Sequence, residues 1–238
     1  MRNNRLATQQ YYERSSDEKV QKLSKRSYHQ YCSIAHALDI VGERWTLLII
    51  RELLIGPKRF TDILNNLPGI GTNLITSRLK DLESEGVIGR RWLPPPAGST
   101  VYELTEKGRG LEPVIIELGK WGSLSNALPN TGDQFRPGWS VLAMHFAFRP
   151  DLAAGLSERY EFRIGDEIFH ASVEGGELKT GQGPVDGPDL VITADSYTYS
   201  AIAMQRVTLM EAIDAGNVRY QGDEGALKHC SEVFGLPV

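Results

Sequence analysis

Apolar residues recur at helical spacing through the first half of the chain. They mark residues 32–55, with a break at Gly42, then residues 60–67, then about residues 73–85. Glycine or proline follows each segment, as is typical where helices end. In the third segment Ile75, Leu79 and Leu82 share one face, so that face is expected to be buried. The pattern predicts amphipathic helices joined by short turns.

A two-stranded ribbon is predicted next. Residues 87–93 and 100–104 have strand patterns, and the intervening run of three prolines, alanine and glycine cannot pair in a sheet and must form a tip. After Thr105 a long helix is predicted, with an apolar stripe along one side. Two helices, a short turn and a following ribbon are the layout of a winged helix-turn-helix.

The rear half has a mixed pattern of strands and helices. Strands are predicted at about residues 159–164, 168–173, 189–194 and 218–220. Asp195 or Ser196 is expected to cap one helix, and Thr208 with Glu211 has the spacing of a capping box for another. The predicted fold class is α+β, with the winged helix first. We divide the chain into a polar arm (1–28), a DNA-binding and dimerisation domain (29–128), a linker (129–138) and an α+β domain (139–238).

Charge separates the two halves more sharply than the total suggests. The net charge of −4 combines +4 for residues 1–128 with −8 for residues 129–238. Only the front half is therefore expected to meet a polyanion, although chance drift between two domains gives the same imbalance. Two cysteines, no apolar leader and no run long enough to span a bilayer favour a cytoplasmic protein without membrane contact.

The second motif helix is the candidate reader of DNA, because a major groove admits an α-helix. The face opposite its buried stripe carries Thr72, Asn73, Thr76, Ser77 and Lys80. Asparagine can bond adenine through two atoms, the hydroxyl groups can bond base edges or phosphate, and the lysine is better placed for phosphate. Arg78 either faces phosphate or pairs with an acidic neighbour.

Further candidate phosphate contacts flank this helix. Lys58 and Arg59 begin the first motif helix, and Ser99 and Thr100 lie near the ribbon tip. Arg90 and Arg91 lie on the ribbon, where alternation allows only one of the two to point at DNA. For each of these surface residues, a merely solvated side chain is the alternative.

Several segments of this sequence, taken together, resemble the HxlR-type regulators. They are residues 32–53, 60–64, 82–88 and 102–108, with Ile70 and Leu79 between. The resemblance spans about residues 31–125 and implies a homodimeric winged-helix protein that binds a near-palindromic operator. This sequence departs from the pattern at Ser33, where proline is usual, and at Gly71, where a capping serine is usual.

A dimer surface and a reactive thiol are also predicted. The apolar stripe after Thr105 is the expected dimer contact, alone or with the helix from residue 32, and packing within the chain is the alternative. Its members are Leu111, Val114, Ile115, Leu118 and Trp121. Cys32 stands where the family often has a redox-sensing cysteine, although a buried inert thiol is the alternative. Cys32 and His36 are too few ligands for a metal site.

The rear domain resembles the sterol carrier protein type 2-like fold, through its two hairpins and residues 188–194 and 212–223. That resemblance implies an apolar small-molecule effector, with an ordinary filled core as the alternative. Candidate pocket residues are Phe146, Phe162, Ile202, Met204, Leu209 and Met210. No catalytic motif with the required context is present, so neither an enzyme nor a cofactor is expected. The predicted function is a DNA-binding transcription regulator, by default a repressor; the alternative is a protein-interaction or lipid-binding module.

Overall fold

In a computed structural model of the protein, residues 27–124 and 133–236 are described. The chain divides into two compact units, Met1–Thr46 and Leu47–Val238. Most of the predicted polar arm, residues 1–26, and residues 129–132 of the predicted linker lie outside the described residues. The predicted domain boundaries therefore stay predictions.

Four helices come first in the part of the chain that the structure describes. They are α1 (Ser33–Val41), α2 (Thr46–Ile55), α3 (Phe60–Asn66) and α4 (Thr72–Ser84). Gly42 ends α1, where the sequence pattern is broken. Ile49, Ile63 and Ile75, one each from α2, α3 and α4, are fully buried, so the apolar stripes of these helices face inward as their spacing predicts.

An antiparallel ribbon and two further helices follow. Strands β1 (Ile88–Leu93) and β2 (Ser99–Leu104) pair in register from Ile88 with Leu104 to Leu93 with Ser99. Helices α5 (Glu106–Arg109) and α6 (Glu112–Ser123) come next. Gly108 in α5 lies so close to the Val87 carbonyl that a side chain there would collide with it. This close approach is how α5 packs against the base of the ribbon.

The rear of the chain is a five-stranded sheet with helices. Its strands are β3 (Ser157–Ile164), β4 (Glu167–Glu174), β5 (Glu177–Gln182), β6 (Leu190–Ala194) and β7 (Val218–Gly222), in spatial order β5-β4-β3-β6-β7. Only the β3–β6 pair is parallel. The helices are α7 (Ser140–Ala147), α8 (Ser196–Ala203), α9 (Leu209–Asp214) and α10 (Glu224–Val233), and a 3₁₀ turn (Pro137–Trp139) precedes α7.

Local sequence signals account for much of this architecture. Asp195 accepts the Thr198 N–H at the start of α8, and Thr208 and Glu211 form the predicted capping box at the start of α9. The α+β fold class, with a winged helix first, is confirmed. Helix α7 was not predicted. No helix in the described residues combines the length and the apolar character needed to cross a membrane.

Candidate nucleic-acid interface

Helix α4 separates its residues cleanly between core and surface. Ile75, Leu79 and Leu82 are buried, as the sequence predicts. The five predicted reading residues are all exposed: Thr72, Asn73, Thr76, Ser77 and Lys80. Gly71 is the N-cap and offers no capping side chain, so the helix begins at Thr72 without that support. One polar face of a well-anchored helix is thus open to a partner.

Two residues of α4 have some of their bonding capacity committed within the chain. The Thr76 hydroxyl donates to the Thr72 carbonyl at 2.7 Å, so only its lone pairs are left for a partner. Arg78 pairs with Asp81 at 3.2 Å and is only 20% exposed. This geometry favours the intramolecular role of Arg78 over phosphate contact.

Lys58 does not have the exposed position expected of it. Its backbone bonds in both directions with Tyr102 of β2, at 3.0 and 2.8 Å, and the residue is 9% exposed. This burial disfavours the predicted contact of Lys58 with a DNA phosphate, which stays a prediction. Arg59 is exposed, and its guanidinium donates to the Ala97 carbonyl at the ribbon tip at 3.3 Å.

The ribbon arginines are partly exposed and paired. Arg90 bonds Glu83 of α4 at 2.8 Å, and Arg91 bonds Glu103 of β2 at 2.8 Å. About half of each side chain remains exposed, so a phosphate can compete with either carboxylate. Thr100 is exposed, whereas the Ser99 hydroxyl is buried, has no hydrogen-bond partner in the described ranges and does not point toward solvent. This burial disfavours the predicted phosphate contact of Ser99, which stays a prediction.

Comparison with known proteins identifies this arrangement. The family model for the HxlR-like helix-turn-helix matches residues 40–128. The uncharacterized HTH-type transcriptional regulator YvaP of Bacillus subtilis is 40% identical over 87 residues, which cover 37% of this chain and 81% of YvaP. The chain belongs to the HxlR-like helix-turn-helix family. Its regulator fold is therefore that of a DNA-binding protein family, and the matched residues include α2 to α6 and the ribbon.

Other relatives of this HxlR protein match over a similar length. The uncharacterized HTH-type transcriptional regulator sll1512 of Synechocystis is 39% identical over 92 residues, covering 39% of this chain and 68% of sll1512. The HTH-type transcriptional regulator YodB of Bacillus subtilis is 40% identical over 85 residues, covering 36% and 76%.

The α6 helix of the HxlR protein exposes a row of large apolar side chains. Val114, Leu118 and Trp121 stand one turn apart and are exposed, whereas Ile115 is buried. Leu111 is half-buried. Gly119 faces the ring of Phe146 from α7. Ile115 therefore packs within the chain and is not available to a partner, while the exposed row remains the candidate dimer surface.

Cys32 stands immediately before α1 and is exposed. Although its thiol forms no capping hydrogen bond, the nearby backbone N–H groups of Ala35 and, less strongly, Ile34 lower the pKa of the thiol. The buried position considered for this thiol from the sequence is therefore wrong. It is Cys230 that is fully buried, and burial raises the pKa of that thiol.

The predicted apolar pocket of the rear half is partly formed. A cavity of about 200 Å³ is lined by Phe162 and Ile202, together with Met144, Tyr199 and Phe234. Four predicted pocket residues do not line it: Phe146, Met204, Leu209 and Met210. Phe146 packs on Gly119, Leu209 is buried, and the two methionines are exposed. These four side chains therefore lie in other environments.

Sequence reasoning missed a buried polar cluster around Glu52. This carboxylate is 1% exposed and bonds Arg51, Asn66 and the indole of Trp139, each at 2.8 Å. Glu52 lies within an apolar helical run, and a charged residue at such a position was the one signal available. The cluster joins α2 and α3 to the start of the rear half.

Proposed function

We propose that this HxlR-family regulator binds double-stranded DNA sequence-specifically as a homodimer and acts as a repressor by occupying its operator. The observation that carries the proposal is the exposed polar face of α4, from Thr72 to Lys80, opposite a fully buried apolar stripe. Such a face enters a major groove without disturbing the core. Arg59, Thr100 and one ribbon arginine supply further phosphate contacts.

In this proposal Asn73 reads a base and Lys80 binds phosphate. Asn73→Ala should weaken binding mainly at the specific site, because a bidentate base contact contributes about 1–3 kcal/mol of discrimination. Lys80→Ala should weaken specific and random DNA alike and reduce the slope of log K against log salt by about 0.9. Lys228→Ala, which removes an exposed lysine from α10, is the matched control and should change neither quantity.

The experiment is a mobility-shift titration of the purified protein with duplex DNA from its own promoter region and with random DNA, at two salt concentrations. Saturable binding with the three expected responses supports the proposal. Equal losses for Asn73→Ala on specific and random DNA would refute base reading by that residue. Absence of binding to any DNA at low salt would overturn the proposal and favour the protein-interaction or lipid-binding alternative.

Two-fold pairing is proposed because one winged helix makes few base contacts. The exposed apolar row of α6 supports it, since single chains seldom leave contiguous apolar rows in water. If the protein is a repressor, adding it lowers transcription from a promoter that overlaps its operator. In vitro transcription with and without protein tests that sign, and increased transcript would reverse it.

An oxidant response through Cys32 is also proposed. The exposed thiol with its lowered pKa supports it, because the thiolate is the form that oxidants attack. Peroxide should change operator affinity in the wild type and leave Cys32→Ser unchanged. An identical response in both proteins would remove Cys32 from the hypothesis.

For the rear half we propose a sterol carrier protein type 2-like fold that senses an apolar small molecule. The five-stranded sheet with helices and the cavity lined by Phe162 and Ile202 support it. The cavity's volume of about 200 Å³ lies below the ~300–1,000 Å³ of most ligand sites, so a small ligand is favoured. Native mass spectrometry without any retained apolar molecule, together with no binding of fluorescent fatty acids, would count against sensing.

A further inference from the structure

A second cavity, of about 360 Å³, lies among α2, α3 and the rear half of the chain. Its volume falls within the ~300–1,000 Å³ range of small-molecule sites, unlike that of the apolar cavity. Lys58 and Asp62 line it from the front, and Arg136, Trp139 and Glu167 line it from the rear. These side chains give the cavity both charged groups and an aromatic wall.

Within the described part of the chain, Lys58 and Arg136 of this cavity have no anionic partner. Lys58 is nine-tenths buried, yet within the described residues it forms no ion pair or side-chain hydrogen bond. Arg136 donates one N–H to the Asn65 carbonyl at 2.9 Å, and its Nε is buried with no partner among the described residues. A largely desolvated charge without a partner is costly, so an anion that reached both groups would gain charge-assisted hydrogen bonds.

The carboxylates of the cavity are already engaged by other groups. Glu52 is satisfied by Arg51, Asn66 and Trp139. Asp62 accepts the backbone N–H of Arg59 at 3.0 Å, and Glu167 accepts that of Gly138 at 2.9 Å. Both keep lone pairs, so a ligand that also carries hydroxyl donors would match the cavity better than a bare anion.

We propose that this cavity binds a small hydroxylated oxyanion, a carboxylate or a phosphate ester, whose anionic group is held by Lys58 and Arg136. Its hydroxyl groups would donate to Glu167 and Asp62, and its carbon skeleton would lie against Trp139. Because α3 is the first helix of the DNA-binding motif, an occupied cavity would alter operator affinity. Only that last step rests on the proposed DNA-binding function.

The test measures binding without DNA, by isothermal titration calorimetry of the full chain. The probes are gluconate for a carboxylate, glucose 6-phosphate for a phosphate ester, and glucose as the uncharged control. We expect at least one anion to bind with a Kd of about 1 mM or tighter, and glucose not to bind. Which anion binds identifies the preferred oxyanion. Failure of both, or equal binding of glucose, would overturn the proposal.

Variants locate the bound anion. Lys58→Met keeps the aliphatic stem and the backbone bridge to Tyr102 and should weaken binding by about tenfold or more, whereas Lys58→Arg should retain most of it. Arg136→Gln is a second, independent variant with the same expected loss. Lys228→Met, on α10, is the matched control and should bind as the wild type does. Unchanged binding in folded Lys58→Met and Arg136→Gln would refute this site even if an anion binds elsewhere.

A separate experiment measures operator affinity with and without the bound anion. If an anion binds and operator affinity stays constant at saturation, the site exists without coupling to DNA. If the protein binds no DNA at all, the proposed function fails while the calorimetric result stands.

Discussion

The indole N–H of Trp139 donates to the buried Glu52 carboxylate at 2.8 Å, across 87 positions of sequence. The same indole ring stacks under the guanidinium of Arg51, 4.1 Å from its centroid, and Arg51 itself pairs with Glu52. Trp139 therefore provides a hydrogen bond to the Glu52 carboxylate and an aromatic surface for the Arg51 guanidinium. The first turn of the rear half is thereby fixed against α2, an element of the DNA-binding motif.

Trp139→Phe should lower the free energy of unfolding by about 1–2 kcal/mol, because it removes one hydrogen bond to a buried charge and keeps much of the aromatic surface. Chemical denaturation measures the change. Trp92→Phe is the control: Trp92 is 62% exposed on the ribbon and should cost less than about 0.5 kcal/mol. Equal effects for the two variants would show that the Glu52 bond contributes nothing specific.

Two glycines of α6 should respond in opposite ways to alanine. A Cβ at Gly122 meets no atom of the described residues within 4 Å, so Gly122→Ala should stabilise the protein by about 0.5–1 kcal/mol through helix propensity. A Cβ at Gly119 would overlap the Phe146 ring, so Gly119→Ala should destabilise by about 1–3 kcal/mol despite the same propensity gain. Thermal unfolding of the pair checks both signs. Stabilisation by Gly119→Ala would mean that α7 does not pack closely on α6.

Local signals predicted the recognition helix well. The spacing of Ile75, Leu79 and Leu82 fixed the buried face of α4, and the polar face followed as its complement. The caps at Asp195 and Thr208 were equally readable, because each uses a side chain to bond a backbone group within three residues. Periodicity and capping are short-range properties, which is why sequence alone conveys them.

Long-range pairing was not readable in the same way. Lys58 has a surface residue's sequence environment, and its burial arises from the bridge to Tyr102, more than forty positions later. The Glu52–Trp139 bond and the Gly119–Phe146 contact are likewise set by tertiary packing. The candidate dimer stripe stays a prediction, but one of its members, Ile115, faces the core, since a wide apolar stripe does not reveal which of its edges is buried.

The two cysteines should differ strongly in alkylation. Cys32 is exposed and its pKa is lowered, so more of it is thiolate at neutral pH, and its alkylation rate should rise with pH and level off at a lower pH than that of an ordinary thiol. Cys230 is fully buried with a raised pKa and should react only after denaturation. Iodoacetamide labelling followed by peptide mass spectrometry across pH 6–9 tests this. Labelling of Cys230 in the native protein at a comparable rate would contradict the packing of α10.

The exposed row on α6 gives the sharpest test of the dimer. Leu118→Asp puts a charge in the middle of that row, and a proposed interface hot spot should lose about 2 kcal/mol or more, raising the dimer dissociation constant about thirtyfold. Leu152→Asp is the matched control, because Leu152 is exposed to the same extent, 45%, and lies outside α6. Light scattering after size-exclusion chromatography over a range of concentrations distinguishes them.

Leu118→Asp should dissociate at concentrations where the wild type and Leu152→Asp remain dimers. Its operator binding should fall with it, because each subunit then holds a single half-site. A monomeric wild type at high concentration, or a Leu118→Asp variant as dimeric as its control, would place any pairing surface elsewhere on the chain.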